Sequence, residues 1–321
     1  MPQIKLVAKL VITAVILVAL FRIADANRVV DAIRNVSPAW LLLVYPLSLL
    51  TRTIQASMFQ SVLRCVGERL TIRRIFFAGA LSGFWGLLAP GEVVASVAKW
   101  KSLSDATGRK SLVLSTIVYN RLLLILVPLA SGCVVLWWKN PIPHLPLAEI
   151  AAGLLLVALT TAGALFHPKL GATLDRVARN AIAPLPDFVS ARIEYLLAGL
   201  ALVRSIPARA HGKHLMISAA RMGMTLCSTK ALLLSLGFDV PIEGLVLLQS
   251  VMMIVMQMPI TLGGFGVREA VFMWVLAEYG VSQADGLAAG LLAFTTRFAF
   301  ALIGGMYQIA LIFDWADSRS R

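Results

Sequence analysis

Between Lys110 and Lys139 the chain runs for 28 residues with a single charge, Arg121. A helix of that length reaches about 42 Å at 1.5 Å per residue, more than the ~30 Å hydrocarbon core of a bilayer. Runs of this kind recur along the 321 residues, so 59% of the chain is hydrophobic, only 14% is charged, and mean hydropathy is +0.84. Soluble domains carry about 25% charged and about 45–50% apolar residues. A water-soluble globular enzyme is therefore excluded, and one integral membrane domain over 1–321 is expected. The net charge of +13 sits beside the apolar runs. It fits a topology signal and an anionic lipid surface rather than nucleic acid. Cys65, Cys133 and Cys227 show no paired spacing, so neither a disulfide framework nor a zinc site follows.

Full spans are expected at about 4–23, 38–63, 111–138, 147–166, 214–237 and 286–313. The first competes with a cleavable leader, because Ala24-Asp25-Ala26 follows a short apolar core. Two regions are apolar but too short to cross as one helix. In one, 75–89 breaks at Pro90-Gly91 and resumes from Glu92 to about residue 100; in the other, 242–258 breaks over Pro259 to Gly266 and resumes at 267–279. Each reads as a re-entrant helical hairpin. The segment 167–213 is the one long polar loop. Its stripe of Ile193, Leu196, Leu197, Leu200 and Val203 suits an interfacial helix. The fold class expected is an all-α polytopic membrane protein with six to seven full spans and two re-entrant hairpins.

The two hairpin regions repeat each other. In each, a short helix leads to a Pro/Gly break, a Glu, a second short helix, and then a span bearing Arg. Glu92 precedes Arg121 by 29 positions and Glu269 precedes Arg297 by 28. The repeats cover 40–138 and 214–313. Three spans separate the hairpins, an odd number, so they enter from opposite faces as an inverted-topology repeat. On the resulting topology one face carries 19 Lys and Arg and the other carries 4. This asymmetry puts both termini in the cytoplasm of a multi-pass protein of the cell inner membrane.

Six cations remain at membrane depth: Arg52, Arg121, Arg221, Lys230, Arg268 and Arg297, against the acids Glu92 and Glu269. Each costs about 2.5–3.5 kcal/mol to insert at a helix centre. An anionic substrate, most simply a lipid phosphate, explains the excess. Ser48, Arg52 and Gln55 share one helix face, as do Ser218, Arg221, Thr225 and Ser228. Glu92 and Glu269 are expected to pair with Arg121, Arg297 or Arg268, and Lys230 to snorkel. Pro90, Gly91, Pro259, Gly263, Gly264 and Gly266 are the expected breaks and hinges. The helix starting at Val267, with Arg268 in its first turn, offers a phosphate seat. Gly263-Gly264-Phe265-Gly266 lacks the ending of a P-loop. His144, His167, His211 and His214 all read as loop residues, with the last two suited to a headgroup rather than a metal. With no catalytic signature, neither enzymatic activity nor a cofactor is expected.

The run from Pro259 through Gly263, Gly264, Gly266, Arg268 and Glu269, followed by Arg297, resembles the flippase-like membrane domain of bacterial lysylphosphatidylglycerol synthases. That domain also occurs as stand-alone proteins. The first half matches through Pro90, Gly91 and Glu92, with Lys99 or Lys101 as the nearest cations to the family's basic position. The resemblance spans roughly residues 40–313 and implies movement of an anionic or aminoacylated phospholipid, or a polyprenyl-phosphate-type lipid, between leaflets. The aminoacyl-transferase domain of the fused proteins is not in this sequence, so the resemblance implies no synthase activity. Anionic membrane lipids are the expected partners, with a second copy or a lipid-modifying enzyme as the protein partners considered. Two alternatives stand beside this reading. A membrane-embedded transferase on a lipid-linked substrate would need Glu92 or Glu269 as its base, and a transporter of small soluble anions would share the inverted repeat.

Overall fold

The computed structural model describes residues 2–88, 92–139, 146–166, 168–182, 197, 201, 204–256, 261 and 264–319. These form twelve helices: α1 (Pro2–Ala24), α2 (Ala26–Arg34), α3 (Pro38–Cys65), α4 (Ile72–Leu88), α5 (Glu92–Thr107), α6 (Lys110–Trp138), α7 (Leu147–Phe166), α8 (Pro168–Ile182), α9 (Ala208–Ser235), α10 (Ile242–Val255), α11 (Val267–Ala277) and α12 (Gln283–Arg319). By length and composition, Lys110–Trp138 and Gln283–Leu311 qualify as membrane spans. A third qualifies if α2 and α3, bent by 87°, are taken together. Thr13–Ala24, Leu147–Gly163 and Ile242–Val255 are shorter apolar helices. Helix α9, expected as a span, is in neither group, and α3 qualifies only together with α2; both carry the polar and charged residues described below. Most of the expected interfacial stripe, and the breaks at Pro90, Gly91, Pro259 and Gly263, lie outside the described residues.

Pro38 opens α3 at a position where its missing N–H costs nothing. The helix then packs along α9 in the opposite direction, and three contacts fix the register. Ser37 N–H donates to the Ser235 carbonyl at 2.8 Å, Ser228 Oγ donates to the Val44 carbonyl at 3.4 Å, and Ser61 Oγ lies 3.1 Å from His214 Nε2. Arg52 and Arg221 therefore stand at the same level of this antiparallel seam.

Helices α4 and α5 pack side by side: Ser82 Oγ donates to the Ala95 carbonyl at 2.7 Å. Helices α10 and α11 do the same, with Gly244 against the Tyr279 ring. At 14 and 11 residues, α10 and α11 span about 21 and 17 Å, well short of the hydrocarbon thickness. The first pair is held by a core of Phe59, Ile75, Leu103 and Leu112. The second rests on a larger core that includes Leu232, Leu248, Val275 and Leu276.

Helix α12 touches both pairs through small residues. Gly286 and Gly290 lie against the backbones of Met273 and Glu269, and Gly304 lies against the Ala80 carbonyl. A Cβ at any of these positions would separate the helices. Val134, Leu156, Val157 and Met306 are exposed apolar residues that suit lipid contact. Trp137 and Trp138, 87% and 86% exposed at the end of α6, suit a membrane–water interface.

The segment weighed as a leader is packed into the fold, where Leu20 and Ala24 join Met273, Leu287 and Ala288 in one cluster. Two element boundaries differ from expectation. Helix α5 runs to Thr107 rather than ending near residue 100, which puts Lys99 inside a helix. Helix α9 starts at Ala208, directly after Pro207, so His211 and His214 are helical instead of lying in a loop.

Candidate functional site

The α3–α9 register brings Arg52 and Arg221 together, and α11 and α12 add two more guanidiniums. Arg297, Arg221 and Arg268 each act electrostatically on Arg52. Arg297 acts also on Arg268, and Lys99 of α5 senses Arg52. Four of the five arginines expected at the site thus form one cluster with Lys99. Arg121, on α6, is not among the cations that act on Arg52. Lys230, also counted at membrane depth, is neutralised elsewhere by Asp239 and donates to the Val240 carbonyl at 2.6 Å.

Aromatic rings support the cluster. The Arg52 guanidinium lies 5.0 Å from the Phe300 centroid, that of Arg268 lies 5.5 Å from Phe294, and the Lys99 ammonium lies 4.5 Å from Phe59. Such contacts offset part of the cost of burying a cation without neutralising it. Arg297 reaches towards the end of α4, where a Cβ at Gly86 would stand 3.9 Å from its Nη2. The cluster therefore reaches the last turns of α4 through Arg297 and the first turn of α11 through Arg268.

At the start of α11 the local sequence sets the geometry. Gly264 and Gly266 both have φ +81°, a region open to glycine at little cost. The first turn of α11 is closed by Glu269, whose Oε2 accepts the Gly266 N–H at 2.7 Å. Glu269 is fully buried. It was expected to close an ion pair, but among the described residues it makes none within 4.0 Å and acts on Arg268 only through space. The physical reason is local: the backbone turn at Gly266 presents an N–H that the carboxylate satisfies first. Of Glu92, only its place at the start of α5 is described.

Several buried polar atoms here have no hydrogen-bond partner among the described residues: Arg221 Nε, Arg268 Nη1, Glu269 Oε1 and Thr261 Oγ1. An unsatisfied buried donor costs about 1–3 kcal/mol, more for a charged group. Of these, Arg221 Nε and Arg268 Nη1 are cationic donors that an anion would complete, whereas Glu269 Oε1 is an acceptor. No group of three or more His, Cys, Asp or Glu that could hold a metal ion occurs among the described residues.

Sequence reasoning named Lys99 only beside Lys101 as a cation nearest the family's basic position and counted it with a loop, and it missed the ring platforms Phe59, Phe294 and Phe300. The rings sit in apolar runs that give no signal of a cation contact. His214 is also not a headgroup contact: it is fully buried and bonded to Tyr119 and Ser61.

With fold and site described, the class is a multi-pass helical membrane domain with a basic interior. The chain belongs to the family of the lysylphosphatidylglycerol synthase TM region, which matches residues 6–305, nearly the whole chain. No curated protein and no solved structure matches it.

Proposed function

We propose that this protein moves an anionic or aminoacylated lipid between leaflets, with the phosphate held by Arg52, Arg221, Arg268 and Arg297. The observation that carries this reading is the cluster itself. Three guanidiniums and Lys99 gather around Arg52, and two buried donors, Arg221 Nε and Arg268 Nη1, have no hydrogen-bond partner among the described residues. A scaffold gains nothing from such repulsion, whereas a bound phosphate diester would satisfy the donors and relieve it.

The same reading takes the chain as six to seven spans with two re-entrant hairpins related by inversion, and both termini in the cytoplasm. The side-by-side packing of α4 with α5 and of α10 with α11 supports the hairpins. Two ion pairs join residues that the charge count puts on common faces, Lys139 with Glu243 at 2.8 Å and Arg109 with Glu68 at 3.1 Å. On this reading the protein performs no covalent step. Its partners are anionic lipids, and the headgroup is set by what accompanies the phosphate between the two broken helix pairs.

The test is reconstitution into vesicles carrying fluorescent phosphatidylglycerol in one leaflet, with an impermeant quencher to follow its appearance in the other. Wild type should accelerate exchange, and Arg52→Gln should abolish most of the acceleration. Exchange at the protein-free rate with wild type would contradict the reading.

A further inference from the structure

The α3–α9 seam carries a second basic site at its other end, which the arginine cluster does not use. Ser61 lies nine residues beyond Arg52, about 14 Å along the helix. There a cavity of about 420 Å3 opens, lined by Ser57, Gln60, Ser61 and Arg64 of α3 and by Lys213 of α9. Arg64 and Lys213 are exposed, and no carboxylate is among its lining residues. Ser57 is already committed to the Ile54 carbonyl, and the Gln60 amide to the Leu70 carbonyl. Ser61 is therefore the hydroxyl left to meet a ligand.

Behind Ser61 runs a chain of polar groups in which His214 and Tyr119 are buried and His211 is partly exposed. His214 Nε2 lies 3.1 Å from Ser61 Oγ, and its Nδ1 lies 3.1 Å from the Tyr119 hydroxyl. That hydroxyl also lies 2.6 Å from His211 Nδ1. The phenol has one proton, so the chain has two polarities. If Tyr119 donates to His211, His214 donates to Tyr119 from Nδ1, and Ser61 must point its proton inward to Nε2. If Tyr119 instead donates to His214, Nε2–H donates to Ser61, and the serine proton is free to point into the cavity. An anion between Arg64 and Lys213 selects the second arrangement. A buried histidine on an apolar helix is commonly a packing residue; this one orients a hydroxyl at the wall of a doubly basic cavity.

We propose that this cavity is a phosphate-ester site, in which Arg64 and Lys213 neutralise the phosphate and Ser61, oriented by His214 and Tyr119, donates a hydrogen bond to it. A lipid headgroup and a soluble glycerol phosphate share this chemistry. The site stands on binding alone and does not depend on the translocation reading.

Cys65 lines the same cavity and serves as a native probe. The full-length protein, in phosphatidylcholine nanodiscs with or without phosphatidylglycerol, is alkylated with a water-soluble maleimide. Modification of Cys65 is followed by mass spectrometry, with and without glycerol 3-phosphate. Occupancy should slow alkylation of wild type several-fold. Arg64→Gln and Lys213→Gln, at exposed positions, should each raise the ligand concentration needed by about tenfold, the worth of one charge-assisted hydrogen bond. Ser61→Ala should raise it by a smaller factor, and Arg52→Gln should leave it unchanged. Protection by phosphatidylglycerol alone makes the site a headgroup site, and protection by glycerol phosphate a site for soluble esters. Equal alkylation under all conditions, or protection that persists in the Arg64→Gln/Lys213→Gln double variant, would overturn the proposal.

Discussion

Glu269 Oε2 accepts the backbone N–H of Gly266 at 2.7 Å, leaving the neighbouring Arg268 with a buried Nη1 that no described residue accepts from. The one described acid at the cluster thus holds a helix end in shape, while Arg268 Nη1 and Arg221 Nε have no acceptor among the described residues. Glu269→Gln keeps an acceptor for Gly266 and should change thermal stability little. Glu269→Ala leaves that N–H orphaned and should cost about 1–3 kcal/mol. Denaturation of the two variants in the same detergent checks the difference; equal losses would mean that the carboxylate acts by charge and not as a cap.

The turn before α11 should not tolerate side chains. At φ +81° Gly266 is in the left-handed region, and a Cβ there would stand 2.6 Å from the Ile16 side chain. Gly266→Val should destabilise by about 1–3 kcal/mol from backbone strain alone, and should loosen α1 from α11. Protease sensitivity of the N-terminal helix, read beside the melting temperature, measures both effects.

Helix α12 joins the two helix pairs through close contacts, so Gly304→Leu should force α12 away from the Ala80 carbonyl of α4. Overpacking of this kind costs about 1–3 kcal/mol. Gly153→Leu on α7, where a Cβ meets nothing within 4 Å, is the matched control and should leave the melting temperature unchanged.

Orientation is tested by reporters. A reporter after Arg321 and one inserted within 140–146 should report opposite sides of the membrane, the first cytoplasmic. Both on one side would contradict the inverted arrangement of the helix pairs.

The sequence made the arginines visible because each interrupts an apolar run at a cost that asks for a reason. Their convergence was not visible, since it depends on the α3–α9 register, fixed by contacts such as Ser37 with Ser235 that have no signature along the chain. Lys99 was counted with a loop for a boundary reason: the polar residues after Trp100 resemble a loop, yet they form the last turns of α5. The cap at Glu269 was hidden because its partner is the backbone of a glycine, and the usual Ser or Thr of a capping box is absent. His214 read as a loop residue because charge and glycine surround it; the helix start at Pro207 and the phenol of Tyr119, 95 positions away, determine its actual setting.

The central claim, that the guanidinium cluster neutralises a lipid phosphate, is tested most directly by binding. Native mass spectrometry or titration of phosphatidylglycerol against the purified protein is run with Arg52→Gln, Arg221→Gln and Arg268→Gln beside wild type, together with thermal stability. Each substitution removes a charge-assisted contact and should weaken binding by about tenfold. Stability should hold or rise, because each also relieves repulsion among like charges. Wild-type affinity in all three variants would contradict the account and leave these charges a purely structural role.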